Sequence, residues 1–265
     1  QILALQFVVK HYVRKAAPLG LLSDDQALPQ PHAFPSSCTL YFDSQVTTRI
    51  LSEAKRRQVT VNDLLARDLF LALHDWRQRH GVKSKGEWLR FFVPINERTT
   101  DDEALSAANI MSAIFLERHP QHLTNPESLL QSIQAEMQMH KRGQHGFLFI
   151  AAQALMKLMP RLRHRVIRQG KCVSSCVFTN LGIILSRTPL PRRDGKLAIG
   201  ETILDKVDFI APVRPLTAAA FCIYTYAGGL AVNLHFDPRS ISRRQADELQ
   251  ELFRLKIHDS LNSAV

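Results

Sequence analysis

Apolar residues along this chain fall into two rhythms, alternation typical of strands and three-to-four spacing typical of helices, and the two rhythms interleave. Leu5, Val8, Val9 and Tyr12 share one helical face, so residues 2–13 are predicted as helix. The stretch Ala16 to Ser37 holds Pro18, Pro29, Pro31 and Pro35 and reads as a crossover or linker. Cys38–Phe42 is predicted as a strand. A helix capped by Ser44 follows, running through Val46, Ile50, Leu51 and Ala54. Thr60-Val-Asn-Asp63 approximates a capping box and opens a helix apolar around most of its circumference, with His74 and Asp75 at its wet end. Trp88–Ile95 is a strong strand in which Pro94 marks an edge or a terminus. Ala107–Glu117 reads as the next strand, interrupted by Asn109 and Ser112.

Asn125-Pro126-Glu127 combines a cap, a first-position proline and an early acid, and predicts a helix to about His140. A further helical segment is expected over Phe147–Met159. The central stretch, Cys172 to Gly182, reads as a buried strand ending in the polar turn Thr179-Asn180-Leu181-Gly182. Taken locally, that turn is either an ordinary strand exit or the wall of a site. Short strands are expected at Leu197–Ile199 and Val207–Ile210. Ala218–Tyr226 and Leu230–Phe236 flank Ala227-Gly228-Gly229 as a hairpin, and Ser242–Gln245 caps a final amphipathic helix. The class is therefore α/β: a mixed β-sheet with flanking helices.

Composition narrows this picture. A hydrophobic content of 45% with 22% charged residues describes a folded globular chain. No apolar run is long enough to span a bilayer, so no membrane segment is expected. Four cysteines are too few for a disulfide framework and suit a reducing, cytoplasmic setting. No third and fourth ligand joins Cys172 and Cys176, so no metal site is expected. The net charge of +10 favours acidic partners: nucleic acid, an anionic carrier protein, or a phosphate-bearing cofactor such as coenzyme A. Its densest stretch, Arg161 to Arg168, lacks the interleaved aromatics of single-strand binders and reads as a solvated face, which disfavours nucleic acid.

Candidate chemistry is sparse. There is no G-x-S-x-G, no P-loop, no G-x-G-x-x-G and no H-E-x-x-H. His235 and Asp237 share a strand face, either as a base and its orienting carboxylate or as a plain strand end. Four segments nonetheless occur in a telling order: VPINERTT at 93–100, ANIMS at 108–112, VFTNLG at 177–182 and YAGGLAVNLHFDP at 226–238. Together they resemble the C-terminal subdomain of the chloramphenicol acetyltransferase-like superfamily, which includes condensation domains and wax ester synthases. The general base of that family is the second His of an HHxxxDG motif. This chain contains no such motif, and the plant branch's D-F-G-W-G is absent too.

The resemblance implies several expectations. Residues 1–35 would be a helix and crossover linker from an N-terminal subdomain that supplies the base, and residues 36–265 the acyltransferase-like subdomain. Arg98 matches an arginine thought to hold the aspartate of the catalytic loop, with Asn96 beside it; both would support that loop. Thr179, Asn180 and Gly182 match a turn lining the substrate tunnel, and Asn109 and Ser112 match a strand facing the acceptor. No catalytic residue would lie in this chain. The reaction implied is acyl transfer from a coenzyme A or phosphopantetheine-linked thioester to a hydroxyl or amine, with no covalently bound cofactor. The partners implied are the N-terminal subdomain and an acidic acyl carrier protein. Two alternatives stay open: a non-catalytic, condensation-like scaffold, and a basic nucleic-acid-binding protein.

Overall fold

A computed structural model describes residues 14–20, 35–82, 86–102, 105, 110–143, 172–213 and 217–262, with a few isolated positions between 157 and 164. The expected helices at 2–13 and 147–159, the Arg161–Arg168 stretch and Asn109 lie wholly or largely outside these residues.

Nine strands and four helices are described: β1 (Ser36–Phe42), α1 (Ser44–Arg56), α2 (Val61–Arg79), β2 (Leu89–Asn96), β3 (Met111–Arg118), α3 (Pro126–Gly143), β4 (Cys176–Ile183), β5 (Arg192–Arg193), β6 (Lys196–Ile199), β7 (Thr202–Ile203), β8 (Ala219–Tyr226), β9 (Gly229–Phe236) and α4 (Arg243–Asn262). Six strands form one mixed sheet in the order β1-β9-β8-β4-β2-β3, and β5-β6-β7 form a small separate sheet. β2 runs parallel to β4 and β4 parallel to β8, while β3 and β9 run antiparallel to their neighbours.

Period-two patterning gives the sheet two unlike faces. On one, Phe91, Val93, Phe178, Phe221, Ile223, Val232 and Leu234 join the apolar faces of all four helices in a single core. Phe91 stacks on Phe70 of α2 with ring centroids 3.7 Å apart. Burial of each such side chain contributes about 1.5–3 kcal/mol. On the other face, Phe92, Val177, Ala220, Cys222, Tyr224 and Ala231 form a smaller cluster with Val207 and Phe209 from the segment ahead of β8.

Local chemistry explains most of the element boundaries. The Thr60–Asp63 capping box is reciprocal: Asp63 N donates to Thr60 Oγ1 at 3.2 Å and Thr60 N to Asp63 Oδ2 at 2.8 Å. The Ser242–Gln245 box closes α4 in the same way, at 3.2 and 2.9 Å. Asn125 Oδ1 caps α3, accepting from Glu127 N and Ser128 N at 3.0 Å each. In the β8–β9 hairpin, Ala227 and Gly228 both have positive φ (48° and 83°), the geometry a two-residue turn needs to match strand twist.

Several expectations are corrected. Asp43 rather than Ser44 caps α1, its carboxylate accepting from Val46 N at 2.8 Å. α2 continues a further turn beyond His74 and Asp75, to Arg79. β2 is internal to the sheet, but its pairing with β4 ends at Phe92↔Val177, so Pro94 lies past the last partner that would need its missing N–H. The central strand begins at Cys176, so Cys172 and Cys176 do not share a strand face. Ser175 instead bridges to β2, with its N donating to the Arg90 carbonyl at 2.7 Å. Val207–Ile210 is not a strand. It crosses over the second face as an irregular strap, tied by side chains rather than by a backbone ladder.

Candidate functional site

Parallel pairing brings the carboxyl ends of β2, β4 and β8, and the amino end of antiparallel β3, to one edge of the sheet. After β2 the chain turns outward to β3; after β4 it leaves toward β8 on the other side. This reversal between neighbouring parallel strands is where open α/β sheets form a ligand crevice, beyond the carboxyl ends. β2 and β4 pair over only two residues, so their ends part company at this point.

Five of the expected site residues reach this edge or its rim, and a sixth begins the loop beyond it. Asn180 and Gly182 lie on the last turn of β4. The β4–β8 register slips between Asn180 and Ile183, three residues on β4 spanning the length of two on β8. Gly182 sits within this bulge at φ +67°, a left-handed conformation that favours glycine. Asn180 Oδ1 accepts from Gly182 N at 2.8 Å and its amide donates to Asn62 Oδ1 at 2.6 Å, which ties the strand end to the amino-terminal turn of α2. Thr179, half-buried, points to the opposite face in register with Cys222. Asn96 ends β2 and its Oδ1 accepts from Arg98 N at 3.1 Å. Arg98, exposed, donates to the Leu105 carbonyl at 3.0 Å and the Asp102 carbonyl at 3.4 Å, bracing its own loop. Ser112 is fully buried and donates to the Glu97 carboxylate.

The common edge therefore gathers Asn96, Ser112, Thr179, Asn180 and Gly182 with Arg98 just beyond, but it splits them between the two faces. Asn180 and Ser112 lie on the helix-covered side; Thr179 and Asn96 lie on the other. Sequence reasoning missed Asn62, which it read only as the interior of a capping box. A carboxamide at the second position of a helix was the available signal, and only the strand register shows what it meets. His235 and Asp237 do not pair: Asp237 forms a two-pronged ion pair with Arg239 at 2.8 Å, while His235 is buried with burial lowering its pKa.

What remains at the edge is hydrogen-bonding and orienting chemistry. The cysteines are poor nucleophiles: burial pushes Cys38 up to about 12 and Cys172 and Cys222 up to about 11, and raises Cys176 well above the usual thiol range. Among the described residues no three His, Cys, Asp or Glu side chains converge as metal ligands. No helix of the described residues is long and apolar enough to cross a membrane.

Comparison with known proteins follows the same lines. The WS/DGAT C-terminal domain profile matches residues 107–256, more than half of the chain. No curated protein sequence matches. The trichothecene 15-O-acetyltransferase TRI3 from Fusarium sporotrichioides superimposes with a TM-score of 0.69 at 12% identity, over 97% of this chain and 52% of that one. The epimerization domain from the third module of tyrocidine synthetase B gives 0.64 at 14% identity, over 98% of this chain and 56% of that one. A condensation domain for chain release from the enacyloxin polyketide synthase gives 0.60 at 12% identity, over 99% and 47%. At these identities the likeness is one of fold, and the chain spans about half the length of each structure.

Proposed function

This chain belongs to the WS/DGAT C-terminal domain family, and from that premise we propose that it is the C-terminal part of an acyltransferase. In this reading it helps move an acyl group from a coenzyme A or carrier-protein thioester to a hydroxyl or amine acceptor. A second subdomain, of which the solved relatives have room for about as much chain again, carries the general-base histidine. The observation that supports the reading is the shared carboxyl edge, where the Asn180–Asn62 bond and the loop braced by Arg98 stand at the reversal point of the sheet.

The residues at that edge position rather than react. Asn180, clamped at both ends of its amide, gives the β4 terminus one conformation, and a fixed wall is what an orientation-dependent bimolecular reaction requires. Arg98 keeps a guanidinium fork at the mouth of the edge, suited to a carboxylate of a facing catalytic loop. The net charge of +10 suits the phosphates of coenzyme A or an acidic carrier protein.

An acyl-transfer assay on the full-length gene product tests this directly. Asn180→Ala is expected to lower kcat/KM by ~10–100-fold through misplacement of the wall. Arg98→Ala is expected to lose both activity and melting temperature. Unchanged turnover in both variants would remove these residues from the site.

A further inference from the structure

The far end of α2 walls a cavity well away from the carboxyl edge. Its volume is about 460 Å³, within the range of roughly 300–1,000 Å³ usual for small-ligand sites. Arg77, on its wall, follows Asn62 by fifteen residues of the same helix, which places the two about 22 Å apart along the axis. Among the described residues the apolar lining comes from Ala17, Val82, Leu89 and Pro120, each from a different segment of the chain. Ala17 is held there by its N–H, which donates to the Trp88 carbonyl at 2.8 Å.

Arg77 brings a buried cation to this lining. Its side chain is 8% exposed, and burial acts to lower its pKa against the pull of Glu87. Two bonds hold the guanidinium: one to the Pro18 carbonyl, and one to Glu87 Oε2, a single contact at 3.3 Å. A guanidinium has five N–H groups, so three have no acceptor among the described residues. Glu87 is 24% exposed and keeps contact with water. His74 lines the same cavity, one turn earlier on α2, with Gln78 Nε2 lying 2.9 Å from its Nε2. A carboxamide nitrogen only donates, so the imidazole accepts there and carries its proton on Nδ1. Burial lowers the His74 pKa, which keeps the ring neutral at pH 7.

The wall therefore offers N–H donors from Arg77 and His74 within an apolar surround. A carboxylate accepts two parallel bonds from a guanidinium fork and has lone pairs left for an imidazole N–H. A phosphate dianion would bring two charges to a wall whose one cation already has Glu87 beside it, and an ammonium would meet Arg77 itself. An alkyl body covers the four apolar residues and leaves water in doing so, which favours binding.

We propose that the cavity at the carboxyl-terminal end of α2 binds an alkyl monocarboxylate, with Arg77 and His74 holding the head group and Ala17, Val82, Leu89 and Pro120 the chain. The site stands whether or not the carboxyl edge transfers acyl groups.

The test is calorimetric titration of the full-length gene product with octanoate, and with octanamide and 1-octanol as head-group controls. Saturable octanoate binding, at least tenfold tighter than either control, is the expected result. Arg77→Gln should weaken it at least tenfold. That change also disturbs the bond to Pro18, so Val82→Trp serves as the second variant. It fills the cavity and leaves every polar partner in place, and should abolish binding with the melting temperature unchanged. Asn180→Ala, at the other end of α2, should bind octanoate as tightly as the wild type. Absence of saturable binding overturns the site, as does equal affinity for octanamide or full binding by Val82→Trp. Loss of binding in Asn180→Ala alone would move octanoate to the carboxyl edge, and overturns it too.

Discussion

The two faces of the six-stranded sheet are made by alternate residues of the same strands, yet they are finished in different ways. The helix-covered face is aromatic and aliphatic apart from Ser112 and Asn180 near its carboxyl edge, with Phe70, Phe91 and Phe178 in contact at its centre. The opposite face carries Thr39, Tyr41, Asn233, His235 and Tyr224 among small apolar residues, beneath an irregular strap. Asp208 anchors the strap, accepting from Asn233 at 3.0 Å, Tyr41 at 3.0 Å, Thr39 at 3.3 Å and Tyr224 at 3.3 Å. The first face carries the stability of the fold, because its groups have nothing to lose by leaving water. The second holds groups that must be matched one by one, the kind of interior that recognition requires and stability alone does not.

Substitutions on the two faces should separate accordingly. The largest effect belongs to Phe91→Ala, which empties the centre of the first face and is expected to cost about 3–5 kcal/mol in denaturant unfolding. A loss below about 1 kcal/mol would mean that this face is not the main core. Tyr224→Phe, on the second face, deletes the hydroxyl that donates to the Val207 carbonyl and to Asp208, and should cost about 1 kcal/mol. Hydrogen–deuterium exchange in the strap is the sharper readout, since its amides should open faster while those of β2 stay unchanged.

Asp208→Asn should have the smallest effect, under about 1 kcal/mol at neutral pH, because the carboxylate is largely exposed. Its signature is the pH dependence. The hydrogen bond from Asn233, followed by those from Tyr41, Thr39 and Tyr224, holds the Asp208 carboxyl below the usual carboxylate range against the opposing effect of burial. A lowered folded pKa contributes stability above the unfolded value of about 3.9, and that stability is lost as pH falls through the folded value. Wild-type protein should lose this increment in acid melts below about pH 4, and Asp208→Asn should lack it. Identical acid profiles would detach the strap from its anchor.

Much of the fold was legible because local and global signals agree. The Thr60 and Ser242 boxes, the Asn125 cap and the Ala227–Gly228 turn are each decided within four residues, and each is found where the pattern places it. Misreadings arose where an apolar run served something other than a ladder. Val207–Ile210 has the composition of a strand, but Asp208 is drawn to donors on β1, β8 and β9, so the run lies over the sheet. The candidate site was legible in part: Asn96, Arg98 and Asn180 stand out as polar residues at strand ends. That Asn180 meets Asn62, 118 residues away, is a matter of register that no local pattern carries.

By itself, the amino-acid sequence determined the elements: which runs become helices or strands, where they are capped, and the α/β class they add up to. Those outcomes depend on backbone propensity and on side chains within a turn or two of each other. Only the tertiary structure decided which strand ends share an edge, which face each polar residue takes, and that Asn233 on β9 meets Thr39 on β1 and Asp208 on the strap. Such facts depend on strand order and parallel pairing, and these are set by the summed burial of the whole sheet rather than by any one stretch of it.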